Sequence, residues 1–116
     1  MNDQERGIIL RLLSCVKACE ECIKACHNER DNVQFKYCIE LCKDNIDVCA
    51  QSDRLLQRGS EIAYQFLALC EEVCRKCAKE CRRHAQQEYC LKCAEVCLAC
   101  AYICHDYHEP FQLKYV

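Results

Sequence analysis

The sequence predicts an all-α protein: an antiparallel up-down-up-down four-helix bundle with a cysteine-lined core, built from one helical hairpin used twice. Three observations lead there. Two glycines and one proline in 116 residues, with almost no β-branched alternation, favour long helices and short connections. Cysteines recur at steps of three and four, as in C-V-K-A-C-E-E-C-I-K-A-C from Cys15 to Cys26, which is the stripe of one helix face. A shift of 55 residues lays Cys15, Cys19, Cys22 and Cys26 on Cys70, Cys74, Cys77 and Cys81, and Cys38, Cys42 and Cys49 on Cys93, Cys97 and Cys104. Asn45 opposite Cys100, and Phe35 opposite Cys90, break the match.

Local signals set the elements in order within one domain spanning residues 1–116. The first helix is expected at about 3–27 and the second at about 31–58, with Asp31 as its N-cap and Gln34 three positions on. Gly59 supplies a C-terminal stop, and Ser60 is expected to cap a third helix over about 60–85. The fourth is expected over about 86–107, ending before Pro110. Connections this short force sequential helices to run antiparallel.

In an antiparallel pair, residues at one height have a constant sum of numbers. The cysteines select 64 for the first pair and 174 for the second. Four layers follow: Cys15, Cys49, Cys70, Cys104; then Cys19, Asn45, Cys74, Cys100; then Cys22, Cys42, Cys77, Cys97; then Cys26, Cys38, Cys81, Cys93. Helical rise separates successive layers by about 5 Å. Beneath them an apolar plug is expected from Leu12, Ser52, Leu67 and Tyr107, then Ile8, Leu56, Ala63 and Phe111. Above them Glu29, Phe35, His84 and Cys90 form a mixed layer, a mouth with two possible metal ligands.

Free cysteine packs as a small hydrophobe, and one or two on such a stripe would signify nothing more. A core made almost wholly of cysteine forgoes much of the roughly 1.5–3 kcal/mol per site that leucine burial supplies. Metal ligation offsets such a loss, because ligation free energy adds to folding free energy. A disulfide framework fits poorly, since neighbours three or four residues apart on a continuous helix could not be bridged without strain. The start, Met-Asn-Asp-Gln-Glu-Arg, lacks the apolar core of a secretory signal, so a reducing cytoplasmic location is expected.

Thiolates select Cu(I), Zn(II) or iron–sulfur clusters. Four-thiolate zinc sites would each leave two negative charges in the core, which burial penalises. One Cu(I) per thiolate leaves a neutral interior, and two-sulfur coordination suits an i, i+4 pair. Seven such pairs occur: Cys15/Cys19, Cys22/Cys26, Cys38/Cys42, Cys70/Cys74, Cys77/Cys81, Cys93/Cys97 and Cys100/Cys104. Cys49 and Cys90 are left over, and Cys49 is expected to share a metal across helices with Cys15. The alternatives are a multi-cluster iron–sulfur electron carrier, against which the absence of the C-x-x-C-x-x-C-x-x-x-C-P spacing counts, and general zinc sequestration.

The repeated C-x-x-x-C units, among them C-V-K-A-C, C-I-E-L-C, C-E-E-V-C, C-R-K-C-A-K-E-C and C-L-A-C-A-Y-I-C, resemble those of the cytosolic bacterial copper storage proteins, within a wider family of cysteine-rich four-helix-bundle copper-binding proteins. The resemblance spans about residues 8–107. It implies many Cu(I) ions per chain on inner thiolates, assembly as a homotetramer, and metal entry at one open end near histidine. His84 and Cys90 fit that entry role, with His27 a weaker candidate. Asn45, an axial position without sulfur, departs from the pattern.

Other functions find little support. The formal net charge of -2 gives no reason to expect nucleic acid, and no stretch is apolar enough to span a membrane. No Ser/His/Asp, paired-carboxylate or Gly-rich phosphate motif points to an enzyme. A thiol-redox enzyme needs an exposed C-x-x-C at a helix start, whereas three of the four such pairs here lie well inside helices. His105 and His108 flank axial positions at the plugged end, where solvated or locally hydrogen-bonded roles are expected.

Overall fold

A computed structural model describes residues 1–115. It forms a bundle 48 × 25 × 18 Å of four helices: α1 Asp3–His27, α2 Lys36–Gln57, α3 Ala63–Arg82 and α4 Glu88–Tyr115. Each helix packs on two others, α1 on α2 and α4, and α3 on α2 and α4. This is the expected up-down-up-down arrangement. No helix among the described residues is long and apolar enough to cross a membrane.

The helix ends show which local signals hold. At the start of α1, Asn2 Oδ1 accepts from the Glu5 backbone N–H at 2.8 Å while Glu5 Oε1 accepts from the Asn2 N–H at 3.1 Å. That capping box satisfies two donors a helix start leaves unpaired. At the end of α2, Gly59 takes φ +67°. The Ser60 N–H reaches Leu55 O at 2.9 Å and the Gly59 N–H reaches Leu56 O at 3.1 Å, a Schellman turn.

Other boundaries differ from expectation. Asp31 does not cap α2; its backbone oxygen accepts from the Gln34 amide, and a 3₁₀ turn over Val33–Phe35 precedes the helix. Phe35 explains the detour, because that turn carries its ring into the core, where it is 2% exposed. Ser60 Oγ accepts from the Ile62 N–H at 3.3 Å, capping a single turn, and α3 begins only at Ala63. The fourth helix overruns its expected end and carries Pro110 inside it. Proline removes one ladder hydrogen bond there, but Phe111 beyond it stacks on Tyr64 at 5.2 Å and leans on Tyr107 at 5.3 Å. Those ring contacts hold the segment to the bundle.

The plug forms from Ile8, Leu12, Ser52, Leu56, Ala63 and Leu67, all buried, with Leu55 added. Ser52 meets its polar need on Val48 O at 2.7 Å. The expected contributions from α4 are corrected: Phe111 is exposed and Tyr107 only half-buried, whereas His108 is buried. The cause is the height at which α4 sits, described below.

Candidate metal centre

All sixteen cysteines are buried, free thiols. The register of α2 against α3 is as expected, with Cys49–Cys70 at 3.3 Å, Cys42–Cys77 at 3.7 Å and Cys38–Cys81 at 3.5 Å. Helices α1 and α4 do not keep the flat layers. Cys15 lies 3.7 Å from Cys97 rather than level with Cys104, and Cys19 meets Cys97 and Cys93 at 3.8 and 3.9 Å rather than Cys100. The two differ from expectation by one to two helical turns. They carry the two chain ends, so no short connection fixes their relative height.

The stagger improves the site. Within each group that follows, all sulfurs lie within 4.8 Å of one another: Cys15, Cys49, Cys74, Cys100; Cys19, Cys42, Cys77, Cys93; Cys22, Cys38, Cys42, Cys81; and Cys22, Cys26, Cys38, Cys90. Cys15, Cys19 and Cys97 form a further trio. Cys15, Cys19, Cys22, Cys38 and Cys42 each belong to two groups, so neighbouring groups share sulfurs. Cys70 and Cys104 extend the lower end, 3.9 and 4.0 Å from their intrahelical partners Cys74 and Cys100. Cys49 shares its quartet with Cys15, and Cys90, left over in the sequence pairing, completes the uppermost quartet. The result is a connected tube of sulfur with several positions at which a soft ion can be held by two, three or four thiolates.

Asn45 stands inside that tube, fully buried. Its Nδ2 donates to Cys15 and Cys97 at 3.3 Å and to Cys19 at 3.6 Å. Its Oδ1 accepts from Cys74 at 3.2 Å and Cys49 at 3.4 Å. One amide thus satisfies five sulfurs in place of a thiol.

Without metal the thiols share protons unevenly. Cys22 is drawn below the ordinary thiol range by the surrounding thiols of Cys38, Cys42, Cys81 and Cys90. Cys42 is pushed above it by its neighbours Cys19, Cys22, Cys38 and Cys77, with burial adding. Cys26 is raised to about 12 by burial, then by the charge of Cys22 and Cys38. Metal ligation requires these protons to leave, so uptake must release them.

The mouth is more covered than an open rim. The His84 ring packs against Phe35, centroids 4.7 Å apart, and its Nε2 lies 3.1 Å from Glu80 Oε2. Glu80 is itself buried and also accepts from Arg83 at 3.0 Å. Tyr89 donates to Glu29 at 2.8 Å across the same end. His27 is exposed. Sequence reasoning missed Glu80 and the Tyr89–Glu29 link. The i, i+4 spacing of Glu80 and His84 was the available signal for the first; the second joins residues 60 apart and leaves no local trace.

At the other end His105 and His108 are indeed hydrogen-bonded, both to Glu71 Oε1, at 3.0 and 2.6 Å. Burial pushes the Glu71 carboxyl up, but hydrogen bonds from His108, Arg75 and His105 outweigh it and hold it below the usual carboxylate range.

A model of the copper storage protein family matches residues 1–109. The chain belongs to the copper storage protein family. Among solved structures, a cytosolic copper storage protein from Streptomyces lividans carrying five coppers is 31% identical, with a TM-score of 0.89 over 92% of this chain and 93% of that one. The Cu(I)-bound copper storage protein BsCsp3 of Bacillus subtilis is 30% identical, with a TM-score of 0.86 over 90% of this chain and 97% of that one. A curated relative, the uncharacterized cysteine-rich protein YhjQ of Bacillus subtilis strain 168, is 31% identical over 84 residues, 72% of this chain and 78% of its own length. The solved copper storage proteins thus share this chain's fold, and the YhjQ relative its cysteine richness.

Proposed function

We propose that this protein stores Cu(I) on the thiolates of its core, as a cytoplasmic reservoir without catalytic turnover, and that it works as a homotetramer. The ligands assigned are Cys15, Cys19, Cys22, Cys26, Cys38, Cys42, Cys49, Cys70, Cys74, Cys77, Cys81, Cys90, Cys93, Cys97, Cys100 and Cys104, with His84 as a secondary ligand at the mouth. The observation that carries the reading is the sharing of sulfurs between adjacent buried quartets. Isolated four-thiolate sites would suit zinc, each leaving two negative charges unmatched. A connected set suits monovalent ions bridged by sulfur, where each ion entering replaces one proton and the core stays neutral.

Softness and coordination agree with this choice. Intrahelical pairs such as Cys22/Cys26 and Cys93/Cys97 stand 4.0 and 3.9 Å apart, close enough to hold one ion between them with small side-chain rotations. Cross-helix contacts of 3.3–3.9 Å then supply third ligands. The Cu(I) bound by the related Bacillus protein, and the five coppers carried by the Streptomyces one, support the same ion here.

The test is an anaerobic titration of reduced apo-protein with Cu(I) in competition with a strong Cu(I) chelator. Storage predicts uptake approaching one ion per cysteine. A plateau at one or two ions per chain would reject storage in favour of a chaperone or sensor, and preference for Zn(II) over Cu(I) would reject copper.

A further inference from the structure

Outside the tube, one cluster of nitrogen and oxygen donors converges on a single point. Glu71 of α3 and His105 and His108 of α4 bring three side-chain donor atoms together: His105 Nδ1 and His108 Nε2 lie 3.0 and 2.6 Å from the same oxygen, Glu71 Oε1. The two imidazoles meet edge to face with centroids 5.5 Å apart. We propose that Glu71, His105 and His108 form a second metal site, separate from the thiol tube, that takes one divalent first-row ion of borderline softness such as Zn(II).

The donor set fits such an ion. Two imidazoles and one carboxylate, with further positions open to water, are a ligand combination that zinc and its neighbours accept and that Cu(I) does not favour over thiolate. Zinc–nitrogen and zinc–oxygen bonds near 2.1 Å in a tetrahedron put ligand atoms about 3.4 Å apart. From their present 3.0 and 2.6 Å, His105 needs to recede from Glu71 by about 0.4 Å and His108 by about 0.8 Å to reach that spacing.

The surroundings hold two of the three ligands, His105 and Glu71, as a metal site requires. When His105 ligates through Nδ1, its remaining proton sits on Nε2, where Glu109 Oε2 stands 3.4 Å away. A carboxylate behind a ligating histidine fixes its tautomer and raises its basicity. Glu71 is held by its other oxygen, which accepts from Arg75 Nε at 2.8 Å, and Arg75 lies over the Tyr102 ring at 5.1 Å. His108 is 5% exposed, and its Nδ1 is buried without a hydrogen-bond partner. Its Nε2 is the atom aimed at Glu71. The side chain of His105 is 40% exposed and that of Glu71 14% exposed, so an ion reaches this site from solvent, unlike the thiols of Cys70 and Cys104 beside it.

The inference stands apart from the copper reading, and its test keeps the two distinct. Apo-protein is first filled with Cu(I) under anaerobic conditions and its copper content measured, which reads the storage proposal alone. One equivalent of Zn(II) is then added, excess is removed by dialysis, and retained zinc is quantified and examined by zinc K-edge spectroscopy. The expected result is one zinc per chain with only nitrogen and oxygen neighbours. His105→Ala and Glu71→Gln, neither of which touches the tube, should each abolish zinc retention while leaving copper content unchanged. Loss of zinc on dialysis of the parent protein, sulfur in the zinc shell, or retention in either variant equal to the parent's would overturn the proposal.

Discussion

Asn45→Cys is the most informative single change in the tube. The amide makes five contacts to sulfur at 3.2–3.6 Å, with Cys15, Cys19, Cys49, Cys74 and Cys97. Cysteine at this position completes an eighth C-x-x-x-C pair with Cys49 and raises the thiols from sixteen to seventeen. The copper maximum should rise by one ion per chain. The apo-protein should lose about 1–2 kcal/mol, because the amide leaves together with its contacts and its sulfur partners are weak hydrogen-bonders that can turn to one another. Native mass spectrometry of the copper-saturated variant resolves a single added ion, and urea unfolding under reductant reads the stability change. An unchanged or lower maximum in a folded variant would show that position 45 does not face the metal path, and the packing deduced for α2 would be wrong.

Other perturbations separate the tube from its supports. Cys22→Ser and Cys97→Ser should each lower copper capacity while the apo bundle, measured by far-ultraviolet circular dichroism and urea unfolding, loses only about 1–3 kcal/mol for a buried hydroxyl among weak partners. Leu12→Ala empties part of the plug, where Leu12 is 0% exposed, and should destabilise the apo-protein by about 2–5 kcal/mol without changing the number of coppers bound. Glu71 has its carboxyl pKa lowered in the folded state, so its contribution is fully present above the ordinary glutamate value and is lost as pH falls through the lowered one. Apo stability followed by urea unfolding from pH 6 down to about 3 should therefore fall less steeply in Glu71→Gln than in the parent, and parallel curves would remove that role.

Much of this was legible from the spacing of one residue type. Steps of three and four place the cysteines on helix faces, and the repeat places the faces on one axis; the α2–α3 register followed directly, because a short loop at Gly59 fixes it. The heights of α1 and α4 did not follow. Their contact is closed by packing between chain-distant helices, and a slide of a turn or so leaves cysteine facing cysteine throughout. That slide is why Cys15 meets Cys97, why Cys90 joins a quartet, and why His108 rather than Phe111 is buried. Pro110 misled for a different reason: a lost hydrogen bond is a local penalty, while the ring contacts of Phe111 that outweigh it come from Tyr64 on another helix. Glu71 carried a faint signal, since the α3–α4 register puts it within a turn of His105, but nothing in a single helix reveals a carboxylate shared between two histidines.

The central claim is that monovalent ions replace thiol protons one for one, keeping the buried sulfur tube neutral. Native mass spectrometry of the protein during anaerobic Cu(I) loading tests it most directly, because each species reports both the copper added and the protons lost. The account predicts a series extending toward sixteen coppers in which every step adds one copper and removes one proton. A series that halts after one or two ions, or steps that leave unmatched negative charge in the folded core, would contradict it.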